Sequence, residues 1–296
     1  MSTKASKAAI LMMAHGSRDA EARAEYRRIH EAIAGRLAPT PVAFSILEFP
    51  RNDGLPSIQE GWQWCVENGA SRVVALPFFL FPAGHVREDL PAELRTARGS
   101  GGDAEIDLLP PLGPANEILD VVDARAQDAF GGTGPEDAAS TAVVLVGAGT
   151  SDPDANGDLC KAARLLWERR QDRYGLVEAA WVSLTRPSIA EVVDRCHRLG
   201  ANRVALVPYF LNTGILLKRI DEQLIAVREA HPDLTIVRGA HLGLHPGMLD
   251  LLERRAREGL NQAVASEGLL AVCGRASCAS VAAGRASLLR TRLPIR

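Results

Sequence analysis

Pro56-Ser57-Ile58-Gln59-Glu60 leads through Cys65 to Gly69-Ala70-Ser71-Arg72-Val73-Val74-Ala75-Leu76-Pro77, and the same frame returns in the second half of the chain. There Pro187-Ser188-Ile189-Ala190-Glu191 leads through Cys196 to Gly200-Ala201-Asn202-Arg203-Val204-Ala205-Leu206-Val207-Pro208. The match holds at one offset over the whole stretch. It continues as Leu112-Gly113 and Leu119-Asp120 over Leu242-Gly243 and Leu249-Asp250, and begins with Gly16 and Asp19 over Gly149 and Asp152. Chance supplies isolated identities, not a collinear series, so the chain contains one unit twice.

Within each unit short apolar runs alternate with segments of helical period. Ala8–Met13, Pro41–Leu47, Arg72–Pro77 and Glu105–Leu109 read as strands, with Ala142–Val146, Val177–Leu184, Arg203–Val207 and Leu234–Arg238 as their counterparts. Their nearly unbroken hydrophobicity is what strands covered on both faces require. Ala20–Leu37, Ile58–Asn68, Ile118–Ala129, Gly157–Arg170, Ile189–Leu199 and Leu216–Ala230 read as helices, with Gly69 and Gly200 as C-terminal stops. This alternation predicts an α/β fold of two tandem, duplicated repeats, each a mostly parallel sheet flanked by helices. Residues 1–134 form the first repeat, 135–265 the second, and Gly131–Ala139 the linker. Residues 266–296, which beyond Glu267 carry arginines without acids and show poor periodicity, read as a disordered tail.

The 296 residues carry a net charge of -2 and are 47% hydrophobic, the profile of a globular protein with real cores and without a nucleic-acid signature. No apolar stretch reaches the ~20 residues of a membrane span. Met1–Ala8 has no signal-peptide pattern, and five scattered cysteines make no disulfide framework, so a cytoplasmic protein is expected.

The two units differ where chemistry would reside. In open α/β sheets ligands gather at the carboxyl ends of strands. His15 follows the first strand, Glu48 the second and His85 the third; the second unit has Ala148, the Ser183-Leu184-Thr185 segment, and Ile215 or Leu216 at those places. Two imidazoles and a carboxylate suit a divalent first-row metal such as cobalt, nickel, iron or zinc. Cys273 and Cys278 lack further ligands. Cys65 and Cys196 read as buried helix thiols, the four tryptophans as packing residues, and His241 and His245 as loop residues unaligned for metal.

Ala14-His15-Gly16-Ser17-Arg18, the Pro56-Ser57-Ile58 turn, and Pro77-Phe78-Phe79-Leu80-Phe81-Pro82-Ala83-Gly84-His85-Val86 followed by Asp89-Leu90-Pro91 resemble the class II tetrapyrrole chelatases of the CbiX/SirB type. Val146-Gly147-Ala148-Gly149-Thr150-Ser151-Asp152 and Pro208-Tyr209-Phe210-Leu211 resemble the second half of their long, two-repeat members. The resemblance implies insertion of a divalent metal, most often Co²⁺ with Fe²⁺ and Ni²⁺ as alternatives, into sirohydrochlorin, in a cleft between the repeats. It implies metal binding by His15 and His85, with Glu48 as the matching acidic residue. One of these three would take up pyrrole protons. The metal is then a substrate, and no organic cofactor is expected.

A polycarboxylate substrate calls for cationic and amide donors. Arg18, Arg51 and Arg87 beside the histidines, Lys218 on the facing rim, and the Gly149-Thr150 turn are the candidates. Arg186 and Arg219 lie on the same rim. The fused repeats predict a monomer with internal pseudo-two-fold pairing. A metal or tetrapyrrole carrier is the competing reading; a nucleotide-binding protein would need a phosphate-loop lysine that this chain lacks.

Overall fold

The computed structural model describes residues 7–50, 54–82, 84–132 and 137–262, with His85 described by its backbone. The tail expected over 266–296, including Cys273 and Cys278, lies outside the described residues, as do Arg51 and part of the linker.

The first repeat runs β1 (Ala8–Ala14), α1 (Ala20–Leu37), β2 (Val42–Ile46), α2 (Ile58–Glu67), β3 (Arg72–Pro77), a π-helical turn (His85–Asp89), α3 (Leu90–Gly99), β4 (Glu105–Leu108) and α4 (Asn116–Ala129). The second runs β5 (Thr141–Gly147), α5 (Pro153–Arg169), β6 (Leu176–Trp181), α6 (Ile189–Arg198), β7 (Arg203–Pro208), α7 (Ile215–Ala230), β8 (Thr235–Arg238) and α8 (Pro246–Asn261). Each repeat forms a four-stranded, wholly parallel sheet, in the orders β2-β1-β3-β4 and β6-β5-β7-β8. Among the described residues no helix is long and apolar enough to cross a membrane.

The duplication is physical as well as textual. Asp19 and Asp152 cap α1 and α5, each accepting from amides of the first turn. Ser57 with Glu60 and Ser188 with Glu191 close the same reciprocal capping box at α2 and α6. Phe49 and Leu184 both take positive φ, 57° and 61°, just past the second strand of each repeat. That turn corrects one boundary: β6, expected to run to Leu184, stops at Trp181 because the chain bends left-handedly and leaves Leu184 85% exposed.

The layers run helix, sheet, helix, sheet, helix. Trp62, Leu90 and Leu94 cover the outer face of the first sheet, and Ile189, Val193, Ile220 and Leu224 that of the second. The α7 stripe is centred on Leu217, Ile220 and Leu224, with Leu216 half-buried. Between the sheets one core joins Ile10, Met12 and Val74 to Val143, Leu145 and Val207 through Ile29, Ile33, Leu119, Val122, Leu159 and Leu252. Each such side chain contributes about 1.5–3 kcal/mol by leaving water.

Which helix covers which sheet is less obvious. α1 and α5 stay with their own repeats, but α4 packs on β7 and β8, while α8 packs on β3 and α1. The terminal helices are exchanged. Arg72, 5% exposed in β3, pairs with Asp107 (Nε–Oδ2 2.5 Å) and donates to the Gly259 and Leu260 carbonyls that end α8. Its counterpart Arg203 in β7 lies over Phe130 at the end of α4, 4.5 Å from the ring centroid. Buried Asp123 of α4 accepts from Arg170 Nε (2.7 Å), Arg173 Nη1 (2.8 Å) and Tyr174 Oη (2.7 Å), all just past α5.

Candidate active site

In a sheet of order β2-β1-β3-β4 the connections diverge between β1 and β3, which opens a crevice at their carboxyl ends. His15 lies there. Parallel pairing continues past the strand ends: Leu47 N donates to Ala14 O (2.9 Å) and Glu48 N to His15 O (2.8 Å). Gly16 seals this contact at φ 102°, since a Cβ on it would lie 2.1 Å from the Glu48 carbonyl oxygen. Backbone closure therefore sets His15 and Glu48 side by side, Nε2 to Oε1 3.7 Å, with side chains 45% and 35% exposed at the rim.

The third element arrives from β3. Phe78 N donates to Met13 O (2.7 Å), Phe79 lies 6.5 Å from the His15 ring between centroids, and Leu112 N and Gly113 N bind the Phe79 and Leu80 carbonyls. Phe81 stacks on Tyr209 of the second repeat (5.5 Å, 11°). The backbone of His85 then opens the π-helical turn that runs into α3. His85 thus starts an element on the opposite side of the β1 end from Glu48. Among the described residues no three His, Cys, Asp or Glu side chains converge to hold a metal ion; at this crevice His15 stands with Glu48.

The second repeat keeps the frame without these side chains. Val182 N donates to Gly147 O (2.9 Å) and Ser183 N to Ala148 O (3.2 Å). A Cβ on Gly149 would lie 1.9 Å from Ser183 O. Ser183 is therefore the counterpart of Glu48, with its hydroxyl donating to Ala148 O (3.0 Å). Ile215, 61% exposed, opens α7 where His85 opens the π-helical turn.

Of the expected cationic residues, Arg18, Arg87, Lys218 and Arg186 have protein partners in this structure. Arg18 lies over Phe49, 4.3 Å from the ring centroid. Arg87 Nη1 pairs with Asp154 Oδ2 across the repeats at 3.4 Å. Lys218 Nζ pairs with Asp19 Oδ2 (3.0 Å) and Glu21 Oε2 (3.5 Å), the pseudo-symmetric form of the same tie. The Lys218 hydrogen bond leads the effects that hold Asp19 below the ordinary carboxylate range. Arg186 pairs with Glu191 beside its own helix. The Thr150 amide is donated to Asn156 Oδ1 (3.2 Å), and Asn156 Nδ2 donates back to Thr150 O (2.7 Å), so the Gly149-Thr150 turn spends that amide internally.

Spacing did not reveal Glu25. It is 3% exposed in α1, accepts from Thr213 N (2.6 Å) in the β7–α7 loop, and pairs with His241 Nε2 (2.9 Å) before α8. Burial works to raise its carboxyl, but the hydrogen bonds of His241 and Thr213 and the charges of His241 and Arg28 outweigh it and hold Glu25 low. Tyr26 Oη donates to Asn212 Oδ1 beside it (3.2 Å). His245, the other loop histidine, accepts from Gly247 N at the start of α8. Trp64, expected to pack, is 41% exposed, whereas Cys65 and Cys196 are fully buried as expected.

The chain matches the CbiX family over residues 9–129 and 142–259, one match per repeat, and it belongs to that family. It is 37% identical over 254 residues to a sirohydrochlorin cobaltochelatase of Priestia megaterium, covering 85% of this chain and 79% of the relative. A sirohydrochlorin ferrochelatase of Bacillus subtilis is 29% identical, with coverage of 85% and 92%. Among solved structures, SirB from Bacillus subtilis with Fe³⁺ superposes with a TM-score of 0.74 at 28% identity, covering 86% of this chain and 95% of that one.

Proposed function

We propose that this chain is a sirohydrochlorin chelatase that inserts a divalent metal, Co²⁺ foremost, into the macrocycle. The observation that carries the reading is the His15–Glu48 pair at the crevice of the first repeat, set against Ala148, Ser183 and Ile215 in the same frame of the second. On this reading residues 1–134 carry the metal site and residues 135–265 the facing wall. Co²⁺ is preferred because the cobaltochelatase relative has the higher identity of the two; Fe²⁺ and Ni²⁺ use similar ligands.

Metallation needs an ion held firmly enough to be concentrated and loosely enough to be surrendered to four pyrrole nitrogens. Imidazole and carboxylate at a half-exposed rim meet both needs: they must be deprotonated to bind, and water can reach them to exchange. His15 and His85 hold and deliver the ion, and Glu48 neutralises part of its charge. The Arg87–Asp154 and Lys218–Asp19 ties bridge the repeats near this site, where substrate carboxylates can exchange for protein ones. Arg18 and Arg51 complete the cationic set, with the Gly149-Thr150 turn on the facing wall. The protein works as a cytoplasmic monomer, its two repeats supplying the pairing that a single-repeat chain would need a second copy to provide.

The deciding experiment is metallation of sirohydrochlorin with Co²⁺, Fe²⁺ and Ni²⁺ in parallel, followed by absorbance. Multiple turnovers are expected, with Co²⁺ fastest. A carrier would stop at one equivalent, and no metallation with any ion refutes the proposal. His15→Ala and His85→Ala should each fall to the spontaneous rate; full activity in both would remove the ligand assignment.

A further inference from the structure

The offset that places Asp19 over Asp152 places Glu25 over Asp158, six residues into α1 and α5. Glu25 reaches across to the β7–α7 loop of the second repeat, binding Thr213 N at 2.6 Å. The first-repeat counterpart of that loop lies between β3 and the π-helical turn. The same symmetry points Asp158 of the second repeat toward the segment that leads into His85.

Local contacts agree. Phe81 stacks on Tyr209, and the Tyr209 phenol lies close enough to feel the Asp158 charge. Arg87, two residues past His85, pairs with Asp154 one turn before Asp158 and also acts on Asp158 itself. The two carboxylates differ in use. Glu25 is saturated by His241 and Thr213, whereas Asp158 accepts no hydrogen bond among the described residues. Tyr209 Oη, in a residue 3% exposed, is likewise without a hydrogen-bond partner among the described residues.

We infer that Asp158 is the residue that accepts pyrrole protons, presented by the second repeat toward the His85 side of the metal site. Insertion of M²⁺ displaces two N–H protons. At each, the N–H bond breaks, its electron pair becomes the nitrogen–metal bond, and the proton passes to the Asp158 carboxylate and then to water. The groups facing Asp158 are Lys161, Asp152 and Asp154 of its own helix, Arg87 of the π-helical turn and Tyr209 of the β7 end. Burial, with Asp154 and Asp152, outweighs Lys161 and Arg87 and lifts the carboxyl above its ordinary value, which makes its carboxylate a stronger base. Tyr209, pushed far upward by burial, remains a phenol; it is available as a donor to the carboxylate but not as a base.

This role rests on the chelatase reading. The test uses the full-length chain with wild type, Asp158→Asn and Asp158→Glu, measuring Co²⁺ insertion into sirohydrochlorin across pH, with Co²⁺ affinity measured separately without the macrocycle. Asp158→Asn should lower kcat by about 100-fold or more, the usual contribution of a positioned base, and should abolish the acidic limb of the pH–kcat profile. KM for sirohydrochlorin and Co²⁺ affinity should stay within about 3-fold, and Asp158→Glu should recover at least a tenth of the lost rate, as a displaced carboxylate still takes a proton. An Asp158→Asn enzyme with wild-type kcat and pH profile overturns the inference and leaves the chelatase reading standing. So does a rate loss matched by an equal loss of Co²⁺ affinity, which would make Asp158 a ligand. A wild-type chain that metallates nothing overturns both.

Discussion

Gly16→Ala and Gly149→Ala are chemically the same change at pseudo-symmetric places, and they should part company in function. At Gly16 the new methyl would sit 2.1 Å from the Glu48 carbonyl oxygen, so that oxygen must retreat by about 1.3 Å to reach the 3.4 Å of ordinary contact. Such a retreat breaks the 2.8 Å bond from Glu48 N to His15 O, which contributes about 1 kcal/mol. Holding alanine at φ 102° adds about 1–2 kcal/mol of backbone strain. The sum is about 2–3 kcal/mol, a shift of about 3–5 °C in Tm for a chain of this size. Gly149→Ala meets Ser183 O at 1.9 Å with φ 83° and should lose a similar amount. Only Gly16→Ala drives His15 and Glu48 apart. Isothermal titration with Co²⁺ should show at least a ~10-fold weaker site in Gly16→Ala, a loss of ~1.4 kcal/mol, against less than ~2-fold in Gly149→Ala. Equal effects of the two variants on Co²⁺ affinity, at matched loss of Tm, would refute the claim that backbone closure at Gly16 sets the metal pair.

Three further outcomes follow from other contacts. Glu25→Gln should reduce stability at neutral pH by about 1–3 kcal/mol through the loss of charge-assisted bonds to His241 and Thr213. Because the folded carboxyl is held low, the wild type keeps this stabilisation above the unfolded glutamate value near ~4.3 and loses it as pH falls through the folded one. Urea midpoints of wild type and variant should therefore converge in acid; a constant difference down to the acid transition would exclude the linkage. Arg72→Ala leaves Asp107 and two carbonyls of α8 without their donor, and should cost about 3 kcal/mol or more with faster amide exchange concentrated in the last turn of α8; uniform acceleration across α8 would argue against local capping. Burial pushes the Cys65 and Cys196 thiols up to about 12, so neither should react with a disulfide reagent until the chain unfolds, as mass mapping would reveal.

Much of this was legible before any coordinates. Parallel strands covered on both faces are nearly continuous hydrophobes, and the apolar run Arg72–Pro77 coincides with β3 to the residue. His15 and Glu48 stood out because a repeated frame exposes any residue not repeated. The exchange of α4 and α8 was hidden, since an apolar stripe reports that a helix is covered but not by which sheet. The pairing of Arg87 and Lys218 was hidden for a similar reason: their acids lie in the other repeat, at Asp154 and Asp19. Glu25 and Asp158 sit mid-helix, where single acids read as solvated; extending the offset by six residues past the two capping aspartates would have singled them out.

The exchanged helices also set a timetable. During synthesis β1–β4 emerge with α1 to cover part of the inner face of their sheet, while α4, the next helix made, belongs to a sheet not yet translated. The surface around β3 that Arg72 and Val74 present to Gly259 stays open until α8, last of the described helices, leaves the ribosome. Apolar surface left uncovered during synthesis is where aggregation begins. The first repeat is thus made early and completed late, and a nascent chain arrested anywhere before residue 246 carries that repeat with an unfinished core.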